Sequence, residues 1–292
     1  SISCRPPLGS GPERKEPDGA VMAIDQFFFY LALLGYLLGT LHYLLHIASR
    51  RLSIGRAATY ATLAGFGAHT LSHIFRIYAL RRPPLGSLYE SLSFFAWAIV
   101  LIYLITEFRY GNRVIGAFVL PMVVLAGSAA AALPRRIAEL GPTLQGVGLW
   151  IHVALAIFGN AAFALTFCTG LMYLLQERQL KSRHPGKMHF RLPSLELLDD
   201  VGVKSLLFGF PLLTLALITG SIWAEYTRGS FLPLYGRETW SILSWLIYAG
   251  LLYARLSAGW RGRKAAILAI IGFCLVLFTL IGVSLLRGGR VL

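Results

Sequence analysis

One histidine stands where it could do chemistry. His152 lies in "LQGVGLWIHVALAIFGNAAF", a stretch that is otherwise almost wholly apolar. If a helix starts near Val147, five residues at about 1.5 Å each put His152 about 7 to 8 Å below its edge. An imidazole at that depth can ligate a metal ion or a haem iron, and it can equally hydrogen-bond a neighbouring carbonyl at a membrane interface. Two further pairs, His42 with His46 and His69 with His73, have the four-residue spacing that puts both rings on one helix face. A pair without a third ligand is weak evidence for metal, so packing or interhelical hydrogen bonding is expected of them. Glu90, in "PPLGSLYESLSFFAW", and Arg76 are charges inside apolar runs, and an ion pair between adjacent helices would account for both. Phosphate-binding loops, dinucleotide fingerprints, HExxH and defensible nucleophile triads are missing from the sequence. Cys4, Cys168 and Cys274 are too far apart to read as a redox pair or a zinc site.

Hydropathy defines the elements that must carry these residues. Apolar residues make up 56% of the 292, and the mean hydropathy is +0.65. That excludes an ordinary soluble domain and predicts an all-α integral membrane protein, since helices satisfy their own backbone in lipid. Eight runs are long enough to cross a hydrocarbon core, at 27–48, 57–80, 88–106, 114–132, 147–175, 203–225, 239–257 and 265–286. They read as one polytopic bundle over 22–292, preceded by a Pro- and Gly-rich tail, 1–21, that is disordered or non-native. The loops after spans one, three, five and seven hold fourteen Lys and Arg against eight on the other side, the N-terminal tail left out, which predicts both termini on the outer, periplasmic side. The net charge of +14 then reads as anchoring to anionic membrane lipid, and no basic stripe interleaved with aromatics points to nucleic acid.

The segment "SIWAEYTRGSFLPLYGRETWSILSWLIYA", 221–249, joins spans six and seven. Trp223 ends one span, and Glu238 and Trp240 begin the next, which fits an aromatic belt and a carboxylate favoured by a helix N-terminus. Those rules leave "SFLPLY" unexplained. An apolar loop facing water points to a surface lying along the membrane or covering a flat apolar ligand.

Four blocks together carry a resemblance that extends over 22–292: "PPLGSLYESLSFFAW", "LWIHVALAIFGNAAF", "GVKSLLFGFPLLTLALITGSIWA" and "RETWSILSWLIYAGLLYARLSAGWRGRKAAILAIIGF". The chain resembles the cytochrome c assembly family, the CcsA and HemX-type membrane proteins. In that family the loop between these two spans holds a tryptophan-rich signature that keeps haem flat at the outer surface. Laid on it without gaps, Trp223, Ala224, Gly229, Glu238, Thr239 and Trp240 agree, and Arg237 keeps the charge of a lysine. Arg228, Leu232 and Leu234 replace its three central tryptophans, while Tyr235 and Gly236 stand at its aspartate and proline. The resemblance makes His152 the first of two outer haem-ligating histidines. Val291 occupies the place of the second, and Tyr253 that of a histidine within the membrane. The implied cofactor is haem, with His152 as the metal contact and Trp223, Gly229, Glu238, Trp240 and Tyr253 as cofactor-binding residues; Tyr253 could ligate iron at an inner site.

The function implied by the resemblance is that of a haem-handling membrane protein of cytochrome c biogenesis, in the bacterial inner membrane, presenting haem at the outer face to a secreted apocytochrome c. The thioether chemistry would belong to haem and substrate, so no catalytic side chain is expected in this chain. A second membrane subunit of the synthase, with a large outer domain, is the implied partner. The alternative is a HemX-like accessory protein that no longer holds haem tightly. It would act by contact with a cytosolic haem-synthesis enzyme through the basic loop 176–202. A transporter reading has only Glu90 and the histidine pairs behind it, without an internal repeat or matched broken helices.

Overall fold

In the computed structural model the described residues are 19–135, 147–182, 191–229 and 237–279. They form eight helices and no strand: α1 (Gly19–Ser49), α2 (Leu52–Leu80), α3 (Leu88–Tyr110), α4 (Gly116–Ala131), α5 (Val147–Lys181), α6 (Leu195–Arg228), α7 (Arg237–Leu256) and α8 (Arg263–Leu277). The chain is an all-helical membrane protein. Of the eight, α1, α3, α5 and α6 are long and apolar enough to cross a membrane by themselves.

Each expected span has its helix, and the larger differences lie at starts. Helix α1 begins at Gly19 rather than near 27, so Gly19, Ala20 and Val21 of the expected tail are helical and residues 1–18 lie outside the described residues. Helix α6 begins at Leu195 rather than 203, with Ser194 capping it through Leu197 N–H at 3.2 Å. In both cases the hydropathy run stops short of charges that the helix carries through, Asp25 in α1 and Asp199 and Asp200 in α6. Ser87 caps α3 in the same way, accepting from Glu90 N–H at 3.1 Å.

Successive helices run antiparallel, which side-chain bonds fix at both ends of the bundle. At one end Arg76 near the end of α2 reaches Asp25 near the start of α1 at 3.1 Å and Glu90 in the first turn of α3 at 3.0 Å. The expected Arg76–Glu90 pair is thus present, and Asp25 joins it. Ser72 donates to Asp25 at 2.6 Å, and the Gly86 amide donates to Glu90 at 2.7 Å. At the opposite end Glu107 of α3 accepts from Tyr43 of α1, Thr59 of α2 and Tyr103 of its own helix, with Arg113 at 3.5 Å. Tyr110 of α3 donates to Asp200 of α6 at 2.8 Å, and Arg255 of α7 pairs with Asp199 of α6 at 2.8 Å.

His69 does what was expected of it. Its ring bonds the Tyr36 hydroxyl of α1 at 3.2 Å and the Ser93 hydroxyl of α3 at 3.0 Å, so it joins three helices. The His73 ring stacks on it at 4.7 Å. His42 and His46 donate instead to the carbonyls of Leu38 and Arg51, at 2.7 and 3.0 Å. No group of three His, Cys, Asp or Glu suited to a metal ion occurs among the described residues.

Removing one member of a fully buried ion network leaves its partner uncompensated, at about 3 to 5 kcal/mol. Arg76→Met, which strands Asp25, is therefore expected to lower the thermal midpoint in detergent. Lys204→Ala, at an exposed pair of 2.8 Å, should leave it unchanged. A wild-type midpoint for Arg76→Met would mean that the network stabilises nothing.

Candidate functional site

At the Asp25 end of the bundle, α5 turns two stripes of its surface inward. Val153 and Ile157 form one; His152, Ala156 and Asn160, four residues apart, form the other. They face a cavity of about 130 Å³ whose far walls come from the α2–α3 loop (Leu85), α3 (Ser91), α6 (Leu213, Ala216), α7 (Ser241, Ser244) and α8 (Thr279). The body is apolar and the few polar groups are neutral, which is the make-up of a ligand pocket. Among the described residues its lining contains no carboxylate, lysine or cysteine, so no acid–base or nucleophilic pair of theirs faces it. What the lining can do is hold and orient.

Helices α5 and α6 make this wall by packing backbone on backbone. A methyl group added at Gly159 would stand 3.1 Å from the Gly209 carbonyl, and one at Gly209 would stand 3.0 Å from the Gly159 carbonyl. Small residues permit that approach. Toward the Asp25 end, it brings Ala216 and Gly220 of α6 against His152. The His152 Nδ1–H donates to the Ala216 carbonyl at 2.6 Å. A methyl group on Gly220 would lie 2.6 Å from Cε1 of the ring and 2.7 Å from Nδ1, so only glycine leaves the imidazole its place.

A carbonyl only accepts, so Nδ1 carries a proton, and in the neutral imidazole the lone pair is then on Nε2. An imidazole whose other N–H is held by a backbone carbonyl is the arrangement proteins use to orient and strengthen a metal-ligating histidine. The ring bonds a neighbouring carbonyl, as one reading of the sequence expects, and that bond is compatible with a ligand's role. A flat ligand fits this donor chemistry, with a limit set by size. A cavity of about 150 Å³ holds benzene, so 130 Å³ admits one edge of a porphyrin and leaves its remainder at the mouth.

Several other predicted positions surround this end. Trp223 is half-buried on α6, one turn beyond Gly220. Trp240, in the first turn of α7, packs edge-on against Phe278 of α8 at 4.7 Å, and its carbonyl accepts from Ser244 at 2.9 Å. Gly229 ends α6 in the left-handed region at φ +64°, with its N–H on the Glu225 carbonyl. Glu238 belongs to the first turn of α7, but its side chain, like residues 230–236 and Val291, lies outside the described residues. Tyr253 is elsewhere. It sits nine residues beyond Ser244, about 13 to 14 Å along α7, and is 70% exposed.

Sequence reasoning missed Asn160, Ser91, Ser244 and Gly220. Asn160 is the telling one: its Oδ1 is buried at the cavity and has no hydrogen-bond partner among the described residues. Its signal was available, an amide two helical turns from His152 on the same stripe of an apolar run.

Comparison with known proteins agrees with this architecture. The family described as cytochrome C assembly protein matches residues 85–290, from the loop before α3 onward. The chain is 30% identical over 275 residues to the cytochrome c biogenesis protein CcsA of Pyropia yezoensis, covering 81% of this chain and 86% of that one. It is 32% identical over 241 residues to CcsA of Heterosigma akashiwo, covering 70% and 75%, and 34% identical over 231 residues to CcsA of Synechococcus sp. (strain CC9902), covering 70% and 76%. Among solved structures, the cytochrome c haem lyase CcmF shares the fold with a TM-score of 0.70 over 97% of this chain at 14% identity. The present chain spans about half of that structure, 53% of its length. By sequence and by fold, this chain belongs to the cytochrome c assembly protein family.

Proposed function

We propose that this chain holds haem for cytochrome c biogenesis, with His152 as the iron-contacting imidazole. The observation that carries the reading is the clamp on His152: Nδ1–H on the Ala216 carbonyl at 2.6 Å, the ring seated against Gly220, the whole at the wall of an apolar cavity. Haem, when bound, supplies the iron to be ligated and the vinyl groups that take up thiols of an apocytochrome. The chain's own part is positional. In this reading His152 offers Nε2, Val153, Ile157 and Leu213 exclude water from the buried edge, and Trp223 and Trp240, near the cavity ends of α6 and α7, would flank the rest of the ligand. The names of the CcsA relatives and of the haem lyase with the same fold support this assignment.

In this reading all eight helices cross the bacterial inner membrane, both termini are periplasmic, and the His152 cavity opens at the outer face. The greater share of Lys and Arg at the Glu107 end supports that orientation. An apocytochrome c and a second synthase subunit would approach from outside, and lipid would cover the exposed leucines of α1.

Two experiments test these statements. Purified protein loaded with haem should show a Soret band that His152→Ala abolishes. Gly220→Ala, which pushes the ring off the Ala216 carbonyl, should weaken retention roughly 10- to 100-fold, the usual effect of losing a histidine's supporting bond. A band identical in wild type and His152→Ala would place the iron contact elsewhere. For orientation, Ala132→Cys and Ser182→Cys are introduced singly at positions at opposite ends of the bundle, in a chain lacking Cys4, Cys168 and Cys274. A membrane-impermeant maleimide applied to intact cells should label the first and not the second; the reverse pattern would invert the topology.

A further inference from the structure

We propose that Arg82 is the anchor for a carboxylate of the ligand held in the His152 cavity, in haem the propionate edge. The inference rests on the haem reading above and adds a recognition element that the histidine geometry does not supply. No charged side chain among the described residues lines the cavity, so an anionic ligand seated there needs a cation at the rim. Arg82 is brought to that rim. Its guanidinium lies 5.9 Å from the centre of the Trp150 ring, and Trp150 stands one turn above Val153 on the same inward stripe of α5. Three residues on from Arg82, Leu85 is already part of the cavity wall.

Arg82 is also the cation that the buried network can release. Glu90 is held by Arg76 through two bonds, Nε at 3.1 Å and Nη2 at 3.0 Å, and by the Gly86 amide at 2.7 Å. Arg82 adds one good bond to the same carboxylate at 3.0 Å and a long one at 3.5 Å, with a third to the carbonyl of adjacent Pro83. If its fork turns toward the mouth, Glu90 Oε1 keeps both bonds from Arg76 and Oε2 keeps the Gly86 amide, so no buried carboxylate is stranded. Arg76 has no such freedom, because Asp25 depends on it. Exposure divides the two in the same way, 15% for the Arg82 side chain against 2% for Arg76.

The charge balance calls for one more anion. Asp25 and Glu90 face Arg76 and Arg82, and Arg135 adds a third cation, 4.7 Å from the centre of the Tyr89 ring that Arg76 also covers at 4.7 Å. The guanidinium nitrogens Nε, Nη1 and Nη2 of Arg135 are buried without a hydrogen-bond partner among the described residues. Among the described residues of this cluster, three cations against two carboxylates leave one positive charge, which a single ligand carboxylate would neutralise. Arg135 lies against Phe29 and Tyr30 of α1, and Arg81 over Tyr78, so neither reaches the α5 rim. Arg82 does, and a guanidinium fork matches a carboxylate in two parallel bonds.

The test is a cycle of two ligands and two proteins, read as dissociation constants from absorbance titrations in detergent. Haem and haem dimethyl ester, in which the propionates are blocked, are titrated into wild type and Arg82→Gln. Expected is a loss of about tenfold or more on esterification for wild type, as for a charge-assisted hydrogen bond. Arg82→Gln should lose the same for haem and bind the ester as wild type does, and Arg82→Lys should recover part of the haem affinity. An unchanged thermal midpoint for Arg82→Gln shows that Glu90 remains compensated, as the proposal requires; a fall as large as that of Arg76→Met would overturn it. Equal losses on esterification in both proteins, with the His152-dependent band intact, would overturn the Arg82 anchor alone. Failure of wild type to bind either ligand would remove the haem reading and the anchor together.

Discussion

A guanidinium in hydrocarbon must be met by carboxylates, and much of this bundle is arranged around one such meeting. Arg76 is almost wholly buried and its side chain touches both Asp25 and Glu90. Because those residues come from the end of α2 and the starts of α1 and α3, satisfying one charge fixes the relative height of three helices. A buried ion network adds less stability than its bond count suggests, but it penalises every slipped register heavily, since a slip strands a charge. Register is what the neighbouring site needs. Glu90 and Ser91 are adjacent in α3, so the residue that closes the network also sets the height at which Ser91 meets the cavity.

The second half of the bundle reaches its precision differently. Among the described residues, helices α5 and α6 lack a comparable charge cluster at the cavity end. They are held by close backbone approach at Gly159 and Gly209, with Trp245 of α7 donating to Thr214 of α6 at 2.9 Å. Packing of small residues is steep in distance, so it fixes the Ala216 carbonyl to within the tolerance of a hydrogen bond. That carbonyl decides which nitrogen of His152 carries the proton. The site is therefore assembled at the junction of two differently stabilised halves, one locked by charge and one by contact, with α3 belonging to the first and lining the second.

How much of this was legible in the sequence depended on whether the signal was local. Helix number and most boundaries came from hydropathy, because each run reports its own partition between lipid and water. The Arg76–Glu90 pair was readable because two charges in apolar runs have few ways to be satisfied. Asp25 escaped because it precedes the apolar run at 27 and so lay outside the first expected span. Trp223 and Trp240 fell where the aromatic belt placed them, at the ends of α6 and α7. Gly220 could not be found, since its role is to be empty where a ring from 68 residues earlier in the chain arrives. Asn160 could have been found by asking, as for the histidines, what an amide does on an apolar face. Tyr253 was singled out by the place it takes in a family pattern, and such a place carries no information about which way α7 turns it.

The two ends of the bundle are chemically unlike, and the difference bears on where a ligand can sit. At the Glu107 end a single carboxylate is met by two phenols, one threonine hydroxyl and the guanidinium of Arg113. At the Asp25 end the cluster of Arg76, Arg82 and Arg135 with Asp25 and Glu90 has one more cation than carboxylates among the described residues, and the Asn160 oxygen, without a partner among them, faces the cavity. Unsatisfied groups of opposite kind, a buried cation and a buried acceptor, are costly to maintain in a protein that could have replaced either with an apolar residue. A ligand that offers a carboxylate to Arg82 and a donor or bridging water to Asn160 would offset the surplus charge of the cluster and satisfy the amide at once. Such a ligand would return on binding the free energy that the fold forgoes here, which is how a preorganised site obtains affinity without enlarging its contact area.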